Sequence, residues 1–231
     1  MEKEVNEMNT NFADTVILCI EIIGTIAFAL SGAVIAAQRR MDIFGVLVLG
    51  VCTAVGGGCI RDIILGINPP NMFRNPIYAL LAALASFLVF CVARSAPEII
   101  ITNRIQNMSL FNFLDAMGLG IFSVIGVNTA IDAGFADNAF LQIFVGVITG
   151  VGGGILRDML AGEMPSVLKR DVYASASFVG AALYACCYQF INQWVGMFLS
   201  AATVVIIRLL AAKFYWNLPS AIPKDWMPRQ D

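Results

Sequence analysis

The stretch Gly56-Gly57-Gly58-Cys59-Ile60-Arg61-Asp62-Ile63-Ile64-Leu65-Gly66 returns as Gly152-Gly153-Gly154-Ile155-Leu156-Arg157-Asp158-Met159-Leu160-Ala161-Gly162, at an offset of 96. The match runs on: Gly50, Pro69 and Arg74 correspond to Gly146, Pro165 and Arg170 at that offset. Upstream, Glu21, Gly24, Phe28 and Gly32 correspond to Asp115, Gly118, Phe122 and Gly126 at an offset of 94, a two-residue length difference in the first loop accounting for the change. The chain is therefore a duplication, and the two copies must fold alike.

Each copy lies in apolar sequence. Charged residues make up 13% of the 231-residue chain and hydrophobic residues 59%, against roughly 25% charged in a soluble domain. A spanning helix needs about 20 mostly apolar residues. Seven segments are of that order: 15–37, 43–66, 76–94, 110–131, 139–162, 172–191 and 193–212, the last two divided at Asn192-Gln193. These runs are continuous, without the period-two alternation of barrel strands, so the expected class is an all-α integral membrane protein. The expected organisation is an N-terminal segment 1–14, a first three-helix repeat 15–94, a second repeat 110–191, a seventh helix 193–212 and a tail 213–231.

Three spans per copy is an odd number, so the second copy lies upside down relative to the first. That is the inverted-repeat plan of many transporters and channels. Lys and Arg favour the cytoplasmic side. With the N-terminus outside, that side receives Arg39, Arg40, Arg94, Arg104, Lys169, Arg170, Lys213, Lys224 and Arg229, and the other side only Lys3 and Arg74. The expectation is a multi-pass inner-membrane protein with a cytoplasmic C-terminus.

Glycine costs about 1 kcal/mol per residue in a helix interior. Triplets at Gly56–Gly58 and Gly152–Gly154 are therefore expected to break helices two and five, shaping a hinge and an ion path. Close helix packing is the competing role for these glycines. Arg61, Asp62, Arg157 and Asp158 are expected to form pore-associated charge pairs, either within a motif or crossed between motifs. The crossed form, Arg61 with Asp158 and Arg157 with Asp62, would lock the two helices together. Glu21 and Asp115 are the further intramembrane acids, facing a bundle interior or an aqueous cavity. Ser31, Thr53, Ser123, Asn128 and Thr149 add neutral polar groups, and a lone hydroxyl in such a helix commonly bonds its own backbone.

The chain has no histidine and a net charge of −2. This removes His-based catalysis and most zinc sites, and gives no electrostatic case for nucleic-acid binding. No enzyme activity, catalytic residue, bound metal or cofactor is expected.

The paired G-G-G-x-x-R-D motifs, the inverted repeat, the extra seventh helix and the N-out arrangement resemble the trimeric intracellular cation (TRIC) channel family in its prokaryotic branch. The resemblance covers roughly 15–212. It implies a homotrimer in membrane lipid, with room for bound lipid and a pore in each subunit. That pore would be bounded by helices two and five, kinked at Gly56–Gly58 and Gly152–Gly154, and would pass K⁺ or Na⁺ passively, chiefly K⁺. Some bacterial relatives are described as glycine transporters, so a secondary transporter of glycine or another small amino acid is the alternative reading.

Overall fold

The computed structural model describes residues 2–101, 104–169 and 172–216. They form ten helices: α1 (Glu2–Gln38), α2 (Ile43–Ile64), α3 (Asn71–Arg74), α4 (Ile77–Ser95), α5 (Pro97–Ile101), α6 (Arg104–Asp132), α7 (Ala139–Leu160), α8 (Ser166–Lys169), α9 (Ala174–Cys187) and α10 (Gln193–Phe214). No strand occurs among the described residues. The apolar windows Thr15–Gln38, Ile43–Ile64, Ile77–Ser95, Leu110–Asp132, Ala139–Leu160 and Gln193–Phe214 are long enough to cross a membrane. The sixth expected span is shorter than its apolar run. α9 holds 14 residues, about 21 Å of helix, starting after Tyr173 and ending at the turn Cys187–Ile191. The expected tail lies mostly outside the described residues, as does Arg170.

The duplication holds down to single hydrogen bonds. α2 and α7 begin on matched side-chain caps, Asp42 accepting from Gly45 N (2.7 Å) and Asn138 from Leu141 N (3.0 Å). They end on matched Schellman turns. Ile67 N donates to Asp62 O and Glu163 N to Asp158 O, each at 2.8 Å, with Gly66 and Gly162 both at φ +72°. The last glycine of each motif is thus a helix stop, in a conformation that side chains resist.

The triplets do not break their helices. α2 runs from Ile43 to Ile64 and α7 from Ala139 to Leu160 in one piece through the glycines, which corrects the expectation of broken helices two and five. The reason lies in the crossing of the two helices. A Cβ on Gly57 would overlap the carbonyl oxygen of Thr149, and one on Gly153 would overlap that of Thr53. A Cβ on Gly152 would come within 3.1 Å of Gly57 Cα. The middle glycines therefore let two backbones touch, the usual means of holding helices together where water supplies no hydrophobic drive. Gly32 and Gly126 repeat the device between α1 and α2 and between α6 and α7, a Cβ there lying 3.0 Å and 2.8 Å from Gly50 Cα and Gly146 Cα.

α10 breaks the symmetry. It packs on α6 and α9, where Gly120 faces Ala201 O and Gly180 faces Ser200 O, with 2.7 Å and 3.2 Å left for any added Cβ. Gly120 is matched in the first repeat by Ile26, too large for such an approach, whereas Gly180, at the offset of 95 that relates the buried faces of α4 and α9, is matched by the small Ala85.

Gly57→Ala and Gly153→Ala are each expected to destabilise the protein by about 2–3 kcal/mol through overpacking. Gly58→Ala, whose nearest neighbour is Arg61 Nη2 at 3.7 Å, should cost well under half of that. Thermal unfolding of the purified variants in detergent measures the difference.

Candidate functional site: two twin charge clusters, one open and one sealed

The Arg-Asp pairs sit in the last turns of α2 and α7. Because the repeats are inverted, these ends point to opposite faces of the membrane. The crossed pairing expected above is therefore not formed. From the Gly57–Gly153 contact, Arg61 and Asp158 lie four and five residues away in opposite directions, about 14 Å of helix in all. Each arginine instead folds onto its own neighbour. Arg61 Nε and Nη2 bond Asp62 Oδ1 at 2.8 and 2.7 Å, and Arg157 Nε bonds Asp158 Oδ1 at 2.9 Å. The second carboxylate oxygen reaches onward: Asp62 Oδ2 accepts from Asn71 N and Asp158 Oδ2 from Ser166 N, both at 2.6 Å. Each pair so pins the short helix after its span, α3 or α8.

In the second repeat the cluster is sealed. Arg157 is 0% and Asp115 1% exposed. Arg157 Nη1 bonds Asp115 Oδ1 at 2.6 Å and Ser31 Oγ, from the other repeat, at 2.7 Å. Its guanidinium lies 4.9 Å from the Phe111 ring centre. Tyr173 Oη donates to Asp115 Oδ1 at 3.2 Å and sits against Gly154, where a Cβ would fall 2.6 Å from the hydroxyl. Arg208 of α10 completes the cluster, 3.6 Å from Asp115 Oδ2 and 4.6 Å over the Tyr173 ring. Two buried guanidinium groups face two buried carboxylates, the balance that a low-dielectric interior demands.

In the first repeat the same residue types line a cavity of about 610 Å³. Its walls include Glu21 and Thr25 of α1, Gly58, Cys59, Arg61 and Asp62 of α2, Asn71, Met72 and Arg74 of α3, Tyr78 of α4, and Phe122 and Thr129 of α6. Tyr78 Oη donates to Glu21 Oε2, as Tyr173 does to Asp115. Gly58, the match of Gly154, opens onto this space. At the position matching Ser31 stands Ile125. Arg74 also lines the cavity, exposed and donating to Asn68 O at 2.7 Å. Phe122, on the cavity wall, packs on Phe28 with ring centres 5.4 Å apart; these residues are repeat mates and stand between the two clusters.

The structure thus brings Glu21, Gly58, Arg61 and Asp62 into one open site, and Asp115, Gly154, Arg157 and Asp158 into its closed twin. Gly56 lies against the Leu156 side chain, and Gly57, Gly152 and Gly153 form the crossing between the sites. Thr53, Ser123 and Thr149 bond the carbonyls of Leu49, Leu119 and Val145 on their own helices, as expected of lone hydroxyls. Asn128 is held by Tyr184 and Gln193. Sequence reasoning missed Tyr78, Tyr173 and Arg208. Arg208 carried a signal, since a charge within an apolar span is a functional candidate by default; the tyrosines, offset by 95 rather than 96, carried none.

This architecture defines a class: a multi-pass helical membrane protein built as an inverted repeat around paired intramembrane charges, in the manner of channels and transporters. A sequence-family profile described as "Glycine transporter" matches residues 18–94 and 112–189, one match for each repeat. The UPF0126 inner membrane protein YadS of Escherichia coli K12 is 38% identical over 87% of this chain and 94% of its own length. YvgT of Bacillus subtilis, a UPF0126 membrane protein, is 34% identical with the same coverage. A structure solved to explain conductance through TRIC cation channels is 35% identical, covering 90% of this chain and 98% of its own, at a TM-score of 0.76. The TRIC orthologue of Rhodobacter sphaeroides is 31% identical over 87% of this chain and 100% of its own, at a TM-score of 0.78. The chain belongs to the UPF0126 family of membrane proteins, the bacterial TRIC-like family.

Charge reversal Arg61→Asp should be rescued by Asp62→Arg and not by Asp158→Arg, read as recovery of folded protein by size-exclusion chromatography. Arg157→Met leaves two carboxylates in the sealed cluster and is expected to cost about 3–5 kcal/mol, seen as a lowered melting temperature.

Proposed function

We propose that the protein is a potassium-permeable monovalent-cation channel of the inner membrane. It conducts passively through a pore in each subunit of a homotrimer, with no catalytic step. The observation that carries this reading is the open cavity around Glu21, set in a fold that matches TRIC cation-channel structures over almost their whole length. A carboxylate in a low-dielectric recess concentrates cations. With the N-terminus outside, as the Lys and Arg distribution favours, this cavity is the outer vestibule. The path then continues past the Phe122–Phe28 pair and the Gly57–Gly153 crossing toward the cluster of Asp115 and Arg157. Nothing in the lining resembles a ring of backbone carbonyls, so selection is by charge and modest among monovalent cations.

Transport of glycine or a related zwitterion is the second reading. It is favoured by the family profile's description and by the presence of both Glu21 and the Arg61 and Arg74 guanidinium groups around one cavity. Planar-bilayer recording separates the two. Unitary K⁺ currents support the channel; saturable glycine uptake without such currents supports the transporter.

If the channel reading holds, Glu21→Gln lowers K⁺ flux into proteoliposomes by roughly tenfold, the scale on which a focused charge changes local ion concentration. Phe122→Ala raises it by widening the closed end of the vestibule. A membrane-impermeant thiol reagent applied from outside should label Cys59, which lines that cavity.

A further inference from the structure

The two clusters share their residue types but differ in occupancy and in one bond, since Arg157 reaches Asp115 whereas Arg61 is engaged with Asp62. Each pairs an α1-type or α6-type carboxylate with a tyrosine hydroxyl: Glu21 with Tyr78, and Asp115 with Tyr173. Each sets an Arg-Asp pair beside them. In the second repeat a guanidinium group occupies the space between carboxylate and ring, and it arrives on α10, a helix outside the duplication. Among the described residues no helix takes the place of α10 in the first repeat, where Ile26 stands at the position by which Gly120 admits it. The corresponding space there is the cavity.

The protein itself therefore displays a ligand for this kind of site. A planar, weakly hydrated cation is held by a carboxylate oxygen and a tyrosine face together, a combination suited to guanidinium. It is held although Arg157 already bonds the same carboxylate, so the neighbouring arginine does not prevent cation binding. In the first repeat Arg61 is engaged with Asp62, and Tyr78 is the group that bonds Glu21. Glu21, Asp62, Arg61 and Arg74 all line the cavity, with Arg61 engaged with Asp62 and Arg74 exposed and donating to Asn68 O.

We infer that Glu21 and Tyr78 form a binding site for a weakly hydrated monovalent cation of the guanidinium type, and that Arg208 is a tethered occupant of the twin site made by Asp115 and Tyr173. By filling that site from within the chain, Arg208 holds one end of the path shut. The permeant or blocking ion competes for the first site alone. Only the flux consequence rests on the channel reading; binding does not.

The experiment uses purified full-length protein and guanidinium chloride, with sodium chloride and tetramethylammonium chloride at equal ionic strength as controls. Arg208→Ala should lower the melting temperature by about 10 °C, the scale for removing one member of a buried charge cluster in a chain of this size. Low-millimolar guanidinium should restore most of that shift, and neither control salt should. The double variant Arg208→Ala/Asp115→Asn should not respond. In the unmodified protein guanidinium should raise the melting temperature by an increment that Glu21→Gln abolishes. In proteoliposomes Arg208→Ala should raise K⁺ flux, and guanidinium should suppress the excess. If Arg208→Ala does not fold, Arg208→Gln carries the same arms. Guanidinium acting no better than sodium on the Arg208 variant overturns the tethered-occupant assignment. A guanidinium increment that survives Glu21→Gln overturns the first site. Rescue of stability without any K⁺ flux, in the variant or the parent, upholds the twin sites and overturns the channel reading instead.

Discussion

Contact between the backbones of α2 and α7 at Gly57 and Gly153 is the constraint from which the remaining geometry follows. Inside a bilayer two helices gain no hydrophobic free energy by meeting, so their association depends on how closely their surfaces fit. Removing the side chain at the crossing brings carbonyl and Cα atoms of the two helices together, and the density of that contact offsets what glycine loses in helix propensity. The contact fixes the pseudo-two-fold axis. It also fixes how far along each helix the Arg-Asp pair lies, and therefore puts one charge cluster toward each face.

Charge in such a setting must be balanced locally, because water is not there to do it. The second repeat meets the requirement with its own residues plus Arg208 from outside the duplication. The first repeat leaves the corresponding volume open as a cavity. One ancestral motif has thus been put to two uses, a sealed anchor and an accessible recess, by the addition of a single helix that docks on Gly120 and Gly180.

Much of this was legible beforehand. Long apolar runs located the spans, although the run 172–191 overstated the length of α9, and an odd number of spans per repeat required inversion. The acids at Glu21 and Asp115 stood out because charge in hydrocarbon is expensive. What misled was reading Gly56–Gly58 and Gly152–Gly154 through propensity alone. Propensity describes an isolated helix, whereas these glycines are chosen by a neighbour that only the folded protein supplies. The crossed Arg61–Asp158 pairing failed for a related reason: inversion itself carries the two motifs apart, a consequence implicit in the repeat but visible only once the crossing point is known. Arg208 was overlooked because it belongs to neither copy, and the search for symmetry draws attention away from the residue that breaks it.

A perfect inverted duplicate would look the same from either side of the membrane and would treat traffic in both directions alike. α10 removes that equivalence. One face carries Glu21 on an open cavity, whereas the other carries Asp115 in a sealed cluster completed by Arg208. The molecule is thereby given two unlike ends, and the difference comes from where one helix was able to dock.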